Sequence, residues 1–185
     1  MGWTAHGTYP RAVPQNRVVV LAPVGDPILE QLVAAATSDA AAGEVTPPLT
    51  PGDGWTPERV AWLRRFHVDR RAGLKGEAHE VTWAVLVDGH VVGGARLAHV
   101  GLDKELEVGM WLTRQARGSG VGRLALALLL EQAAAGGFVS IRADTSPSNA
   151  AALTVLRNQG FTCSDSPDGR VHAQLALRGG TENTE

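Results

Sequence analysis

Apolar positions along this chain alternate between short β-branched runs and stretches where they recur every three or four residues. Residues 17–22 form a short, mostly apolar run around three β-branched valines and are closed by Pro23, which predicts a strand. Asp26-Pro27 then reads as N-cap and first helical position, with Ile28, Leu29, Leu32, Val33 and Ala36 along one side of the helix. Residues 43–56 are rich in proline and glycine and predict a long loop, the kind that carries function or mobility. Thr56-Pro57-Glu58 opens a second helix, with Val60, Leu63, Phe66 and His67 near one face. Strands at 81–87 and 90–97 are joined by a tight Asp88-Gly89 turn; Gly93-Gly94 inside the second predicts a bulge or a close approach by another group.

The remaining elements are organised around residues 105–130. A strand carrying Leu106, Val108, Met110 and Leu112 leads through a polar linker to Arg117-Gly118-Ser119-Gly120-Val121-Gly122, and a strong helix-forming run follows at 123–132. Strand, glycine-rich turn and helix start form an anion site, because glycines allow close backbone approach and the first N–H groups of a helix lack internal partners. Arg117 adds a planar fork of donors suited to phosphate. A Walker loop does not fit, since Arg123 and Leu124 follow Gly122 where Lys and Ser/Thr are needed. A dinucleotide fingerprint gains from Asp144 at the end of the next strand, but the spacing here is G-x-G-x-G and comes after a linker. A glycine-rich turn with no ligand stays open at this point.

Gly136-Gly137 caps that helix, and residues 138–143 form the next strand, a right-handed parallel crossover. Pro147-Ser148-Asn149 caps a helix at 150–158, stopped by Gly160; a strand from Phe161, a turn at Asp168-Gly169 and a returning strand at 170–177 complete the order. That order, β-α-α-β-β-β-α-β-α-β-β, predicts an α/β fold: a mixed sheet of about seven strands with helices on both faces. One domain is expected at 17–177, with a flexible leader at 1–16 and a flexible tail at 178–185. A content of 44% apolar and 19% charged residues and a formal charge of −2 fit a soluble globular protein with no footprint for nucleic acid or anionic membrane. Cys163 is the single cysteine, so a reducing, cytoplasmic compartment is expected.

Arg117-x-x-Gly120-x-Gly122 resembles the pyrophosphate loop of the Gcn5-related N-acetyltransferases (GNAT). Asn149-x-x-Ala152, with Gly160-Phe161 after it, resembles that family's later segment. The element order is also similar. The resemblance is good over residues 83–177 and limited to layout before that. It implies acetyl-CoA as donor, no metal, and direct attack of an amine on the thioester. It further implies that the strand ending at Met110, Trp111 and Leu112 pairs with the pantetheine arm, after a β-bulge that splays it from its neighbour. The backbone of Arg117, Gly118, Ser119, Gly120, Val121 and Gly122 would hold the pyrophosphate, and Asn149 and Ala152 would face the pantetheine. Where many members carry a tyrosine as general acid this chain has Leu156. That departure, with Glu107, Gly109, Trp111 and Leu112 before the loop, is similar to the branch holding ribosomal-protein-alanine and some aminoglycoside acetyltransferases.

Deprotonating the amine calls for a base. Glu107 and Glu105 lie two residues apart on one strand, hence on one face, and are the first candidates; Asp144 is the next. Trp55 and Trp62, with Trp83, are candidate walls of an acceptor pocket, core packing being the plainer reading of the first two. Asp53, Glu58, Asp69, Glu77 and Glu80 could offer that pocket a negative wall, although Arg64-Arg65 and Arg70-Arg71 are interleaved with them. These features favour a small aminated acceptor, an aminoglycoside-type antibiotic such as kasugamycin and hence resistance. A protein N-terminus and a non-catalytic acyl-CoA sensor are the alternatives. The partners expected are the small amine alone, with no nucleic acid or membrane, and a homodimer left open.

Overall fold

The computed structural model describes residues 17–101 and 104–177. The expected leader at 1–16 and tail at 178–185 lie outside the described residues. Seven strands form one sheet, and each lies close to its expected place: β1 (Val19–Pro23), β2 (Glu80–Val87), β3 (His90–His99), β4 (Glu105–Leu112), β5 (Ser140–Thr145), β6 (Thr162–Asp165) and β7 (Val171–Ala176). Their spatial order is β1-β2-β3-β4-β5-β7-β6. All neighbours are antiparallel except β4 and β5, the pair joined by the crossover helix. The helices are α1 (Asp26–Asp39), α2 (Ala42–Val45), α3 (Pro57–Val68), α4 (Val121–Ala135) and α5 (Ala150–Asn158). The short α2 falls where the sequence predicts only loop.

Strand alternation divides the sheet into two faces. Val85, Leu97, Leu106, Val108, Ile141 and Ala173 face one side, where Val121, Ala125 and Leu129 of α4 and Leu156 of α5 close a single core. On the other side Ala84 and Leu86 meet Leu29, Leu32 and Val33 of α1 and Leu63 of α3. Beyond β3 that second face turns polar: Arg96, Glu107, Arg142 and Asp144 project from β3, β4 and β5. The half of the sheet without an apolar lining is the half that can accept a ligand.

Gly93 and Gly94 each meet a close approach from Trp111. A Cβ on Gly93 would lie 2.3 Å from the carbonyl oxygen of Trp111, and one on Gly94 would lie 2.6 Å from its indole nitrogen. The Trp111 ring therefore lies against β3 at Gly94, while Gly93 lets the Trp111 backbone carbonyl come close, and only glycine permits either. The bulge is next door, where Val92 is skipped as pairing passes from Val85↔Gly93 to Leu86↔Val91. The β4 bulge implied by the family resemblance is absent from the β3 pairing: the register runs unbroken from Gly93↔Leu112 to His99↔Leu106.

Candidate active site

β4 and β5 pair only at Glu105↔Ser140, Leu106↔Ile141 and Glu107↔Arg142. From Val108 to Leu112 the β5 side of β4 has no strand partner, while β5 continues paired to β7 alone. Apart from the Leu112 carbonyl, which accepts from Arg117, the opening leaves a polar backbone edge free at the middle of the sheet, the arrangement that accepts an extended chain of amides. Met110 projects to the α4 side of this edge and Trp111 to the other.

The edge runs into the glycine loop. Gly118 and Gly120 have φ of 71° and 85°, in the left-handed region that favours glycine, and a Cβ on either would meet nothing within 4 Å. Gly120 is the N-cap of α4. Among the described residues no protein acceptor meets the backbone N–H groups of residues 118 to 123. Six consecutive donors with open space before them and a helix dipole behind them make a fitting cradle for a diphosphate. Val121 contributes only its amide, since its side chain is buried in the core. The Ser119 hydroxyl donates to the Ala116 carbonyl at 2.6 Å. A Cβ on Gly122 would only touch Leu112 and Met110.

The Arg117 side chain is engaged elsewhere. Its guanidinium donates to both Glu44 carboxylate oxygens at 3.0 and 2.6 Å, and to the Leu112 carbonyl at 3.0 and 2.9 Å. That hydrogen bond holds the Glu44 carboxyl below the usual carboxylate range. In place of the phosphate donor expected from the sequence, the structure presents a clamp between α2, the end of β4 and the loop. Across the opening, Asn149 caps α5 by accepting the Ala152 N–H at 3.1 Å. Its side-chain nitrogen has no protein acceptor among the described residues, so capping leaves a donor for an amide-bearing ligand. Leu156 is buried in the core and has no proton to give.

On the polar face a cleft of about 600 Å³ reaches from α2 and α3 to Asp144 and Arg170, within the range of small-molecule sites. Trp62 lines it, stacked on Phe66 with ring centroids 4.9 Å apart, and Trp111 lines it from β4. Trp55 and Trp83 do not line it. Trp55 donates its indole N–H to the Ala40 carbonyl at 3.0 Å, and Trp83 packs against the core on the α4 side. The place of Trp111 could have been read from parity, since it follows Glu107 and Gly109 on one face of β4.

The carboxylates sort by partner. Glu107 lines the cleft but donors meet both its oxygens, Arg96 at 2.5 Å and Arg142 at 3.2 Å. Glu105 sits outside the cleft and accepts from Ser140 at 3.4 Å and Gln174 at 3.2 Å. Glu80 is buried between Arg70 and Arg96; it is the one member of the expected negative wall that lines the cleft. Asp144 lines the cleft and pairs with His172, directly opposite on β7. Nothing in the sequence marks His172, because its place beside Asp144 depends on the β5–β7 register. His67 also lines the cleft, but burial, with the nearby Arg70 charge, lowers its pKa to about 4. It is a neutral imidazole bonded through Nδ1 to Thr82 at 2.9 Å.

Comparison with known proteins agrees with this geometry. The acetyltransferase (GNAT) domain model matches residues 20–162. Similar solved structures include the GNAT domain of PAT from S. lividans, at 20% identity over 86% of this chain and 89% of that one, with a TM-score of 0.65. RimJ from Mycobacterium smegmatis, solved with CoA-disulfide, is 20% identical over 85% of this chain and 81% of that one, with a TM-score of 0.66. The ribosomal-protein-S18-alanine N-acetyltransferase from Escherichia coli is 17% identical over 91% of this chain and 99% of that one, with a TM-score of 0.58. No curated protein matches the chain. The family match covers well over half the sequence and includes the bare-amide loop and the opened strand: the chain belongs to the GNAT acetyltransferases.

Proposed function

We propose that the protein transfers the acetyl group of acetyl-CoA to the primary amine of a small polar acceptor held in the cleft. The observation that carries this reading is the run of backbone N–H groups at 118–123 without protein acceptors, continuous with the free edge of β4. The loop amides would hold the diphosphate, the edge from Val108 to Leu112 the pantetheine amides, and Asn149 a further carbonyl. Bound acetyl-CoA supplies an acetyl thioester that an amine lone pair can attack.

The chain's own part is to position the amine and accept its proton. Guanidinium groups hold Glu44, Glu80 and Glu107, whereas the partner of Asp144 can itself take up a proton. Asp144 therefore faces the ammonium, and half-exposed His172 passes the proton to solvent. With Leu156 in the core, the leaving thiolate takes its proton from water. Trp62 and Phe66 offer a flat wall to the acceptor. The aminoglycoside expected from the sequence would find that stacking surface and Asp144, but no second cleft carboxylate free of a guanidinium for its other ammonium groups.

Titration calorimetry with coenzyme A tests the reading. Binding is expected, together with a loss of about tenfold or more in Gly120→Val, where a side chain at φ 85° is strained and enters the ligand's space. Coenzyme A failing to bind, or binding a folded Gly120→Val protein equally well, would overturn it.

A further inference from the structure

Resting on the acetyltransferase reading, we infer that the acceptor amine also carries a carboxylate, which Arg170 binds. Every carboxylate lining the cleft already has a partner: Glu44 with Arg117, Glu80 with Arg70 and Arg96, Glu107 with Arg96 and Arg142, and Asp144 with His172. Arg170 also lines the cleft, and among the described residues no acceptor meets its guanidinium. Its backbone is fixed even so. The Arg170 N–H donates to the Asp168 carboxylate at 3.0 Å, and its carbonyl accepts the Ser166 N–H at 2.8 Å. Asp168 makes no ion pair with the guanidinium among the described residues. A held turn thus presents a free planar fork of donors, the geometry that meets a carboxylate through two parallel hydrogen bonds.

The surrounding charges point the same way. Glu80, Glu107 and Asp144 are matched in number by three guanidiniums, Arg70, Arg96 and Arg142, so Arg170 is the positive charge left over on the polar face. Beyond Asp144, a polycation would have to break guanidinium ion pairs to gain a further carboxylate, whereas an anion gains a donor that is already unpaired. Position supplies the rest. The sheet order at the opening is β4, β5, β7, with Asp144 opposite His172 and Thr145 opposite Val171. Arg170 immediately precedes Val171, so from the free β4 edge outward the order is edge, Asp144, Arg170. An acceptor with its amine at Asp144 and its carboxylate on the far side spans that order. A free amino acid has this layout, and the Trp62–Phe66 wall suits an apolar or aromatic side chain.

The test is thiol release from acetyl-CoA with the full chain, using the twenty L-amino acids, L-phenylalaninamide and other amino-acid amides, spermidine and kanamycin as acceptors. Amino acids are expected to exceed their own amides by about tenfold to a hundredfold in kcat/KM, the range of a charge-assisted contact. Arg170→Gln should erase that ratio mainly through KM, with coenzyme A affinity unchanged by calorimetry, and Arg170→Lys should restore part of it. Amides, spermidine or kanamycin turned over as well as the amino acids, or a ratio that survives Arg170→Gln, would overturn the inference. So would coenzyme A binding with no turnover of any amino acid, which leaves the donor site standing. Failure to bind coenzyme A would instead remove the reading on which the inference rests.

Discussion

His67 shows how a single residue can be drawn into a site without taking part in the chemistry. Its ring is buried between α3 and β2, bonded to Thr82 and set edge-on to Phe66 at 5.3 Å. Its pKa is about 4 when folded, against an unperturbed value of about 6.5, so between those pH values the unfolded chain binds the proton more tightly. The stability it contributes is therefore complete above about pH 6.5 and lost as pH falls toward 4, with a magnitude of about 3 kcal/mol. Urea denaturation at pH 7 and pH 4 checks this. His67→Gln should be the less stable protein at pH 7, and the gap to the wild type should narrow at pH 4. A gap independent of pH would mean that the imidazole is not held neutral.

At the scale of elements, the proline- and glycine-rich segment between α2 and α3 is where the sequence misled most. Its composition predicts a loose loop, yet a buried arginine pins it. Arg59 on α3 donates to the Thr50 hydroxyl at 3.1 Å, the Thr46 hydroxyl at 3.5 Å, and the carbonyls of Thr50 and Gly52 at 3.2 and 3.0 Å. Arg59→Met should cost about 1–3 kcal/mol by leaving the buried Thr46 hydroxyl and the partly buried Thr50 acceptors without their donor. It should also speed proteolysis between residues 46 and 54. Because Glu44, Val45 and Pro47 border the cleft, acceptor KM should rise while coenzyme A affinity holds. Unchanged proteolysis would show that the segment is held by other contacts.

What the chain disclosed and what it withheld divide along the range of the interactions. The Asp88-Gly89 turn was legible because both residues must adopt positive φ, and they do, at 49° and 84°. The glycine loop was legible because its requirement is local backbone geometry. Arg59 reaching back across its own loop, Trp55 turned to Ala40 and Trp83 placed on the far face were not. Each depends on which elements lie together, and composition and periodicity do not encode that.

At the scale of the molecule, a row of alternating charge is a feature of this kind, crossing the sheet through Arg70, Glu80, Arg96, Glu107 and Arg142. It starts just past α3, where the Arg70 guanidinium also lies 3.7 Å from the centroid of the Phe66 ring, and ends on β5 where the strands part. The row joins the helical half of the molecule to the opening. It also gives Glu107, the base expected from the sequence, a structural part, because the Arg96 and Arg142 guanidiniums occupy both its oxygens. Glu107→Gln should lower stability by about 1 kcal/mol, since half-buried Arg96 is left with Glu80 alone and exposed Arg142 loses its ion-pair partner. The shape of the pH profile of kcat/KM should be unchanged. Asp144→Asn should do the reverse, holding stability near the wild type while lowering kcat by about a hundredfold or more. A cycle with Arg96→Gln tests the coupling: the double variant should lose less than the sum of the single losses. If instead Glu107→Gln abolishes turnover at unchanged stability, the proton leaves through β4, and the Asp144–His172 pair is only a surface contact.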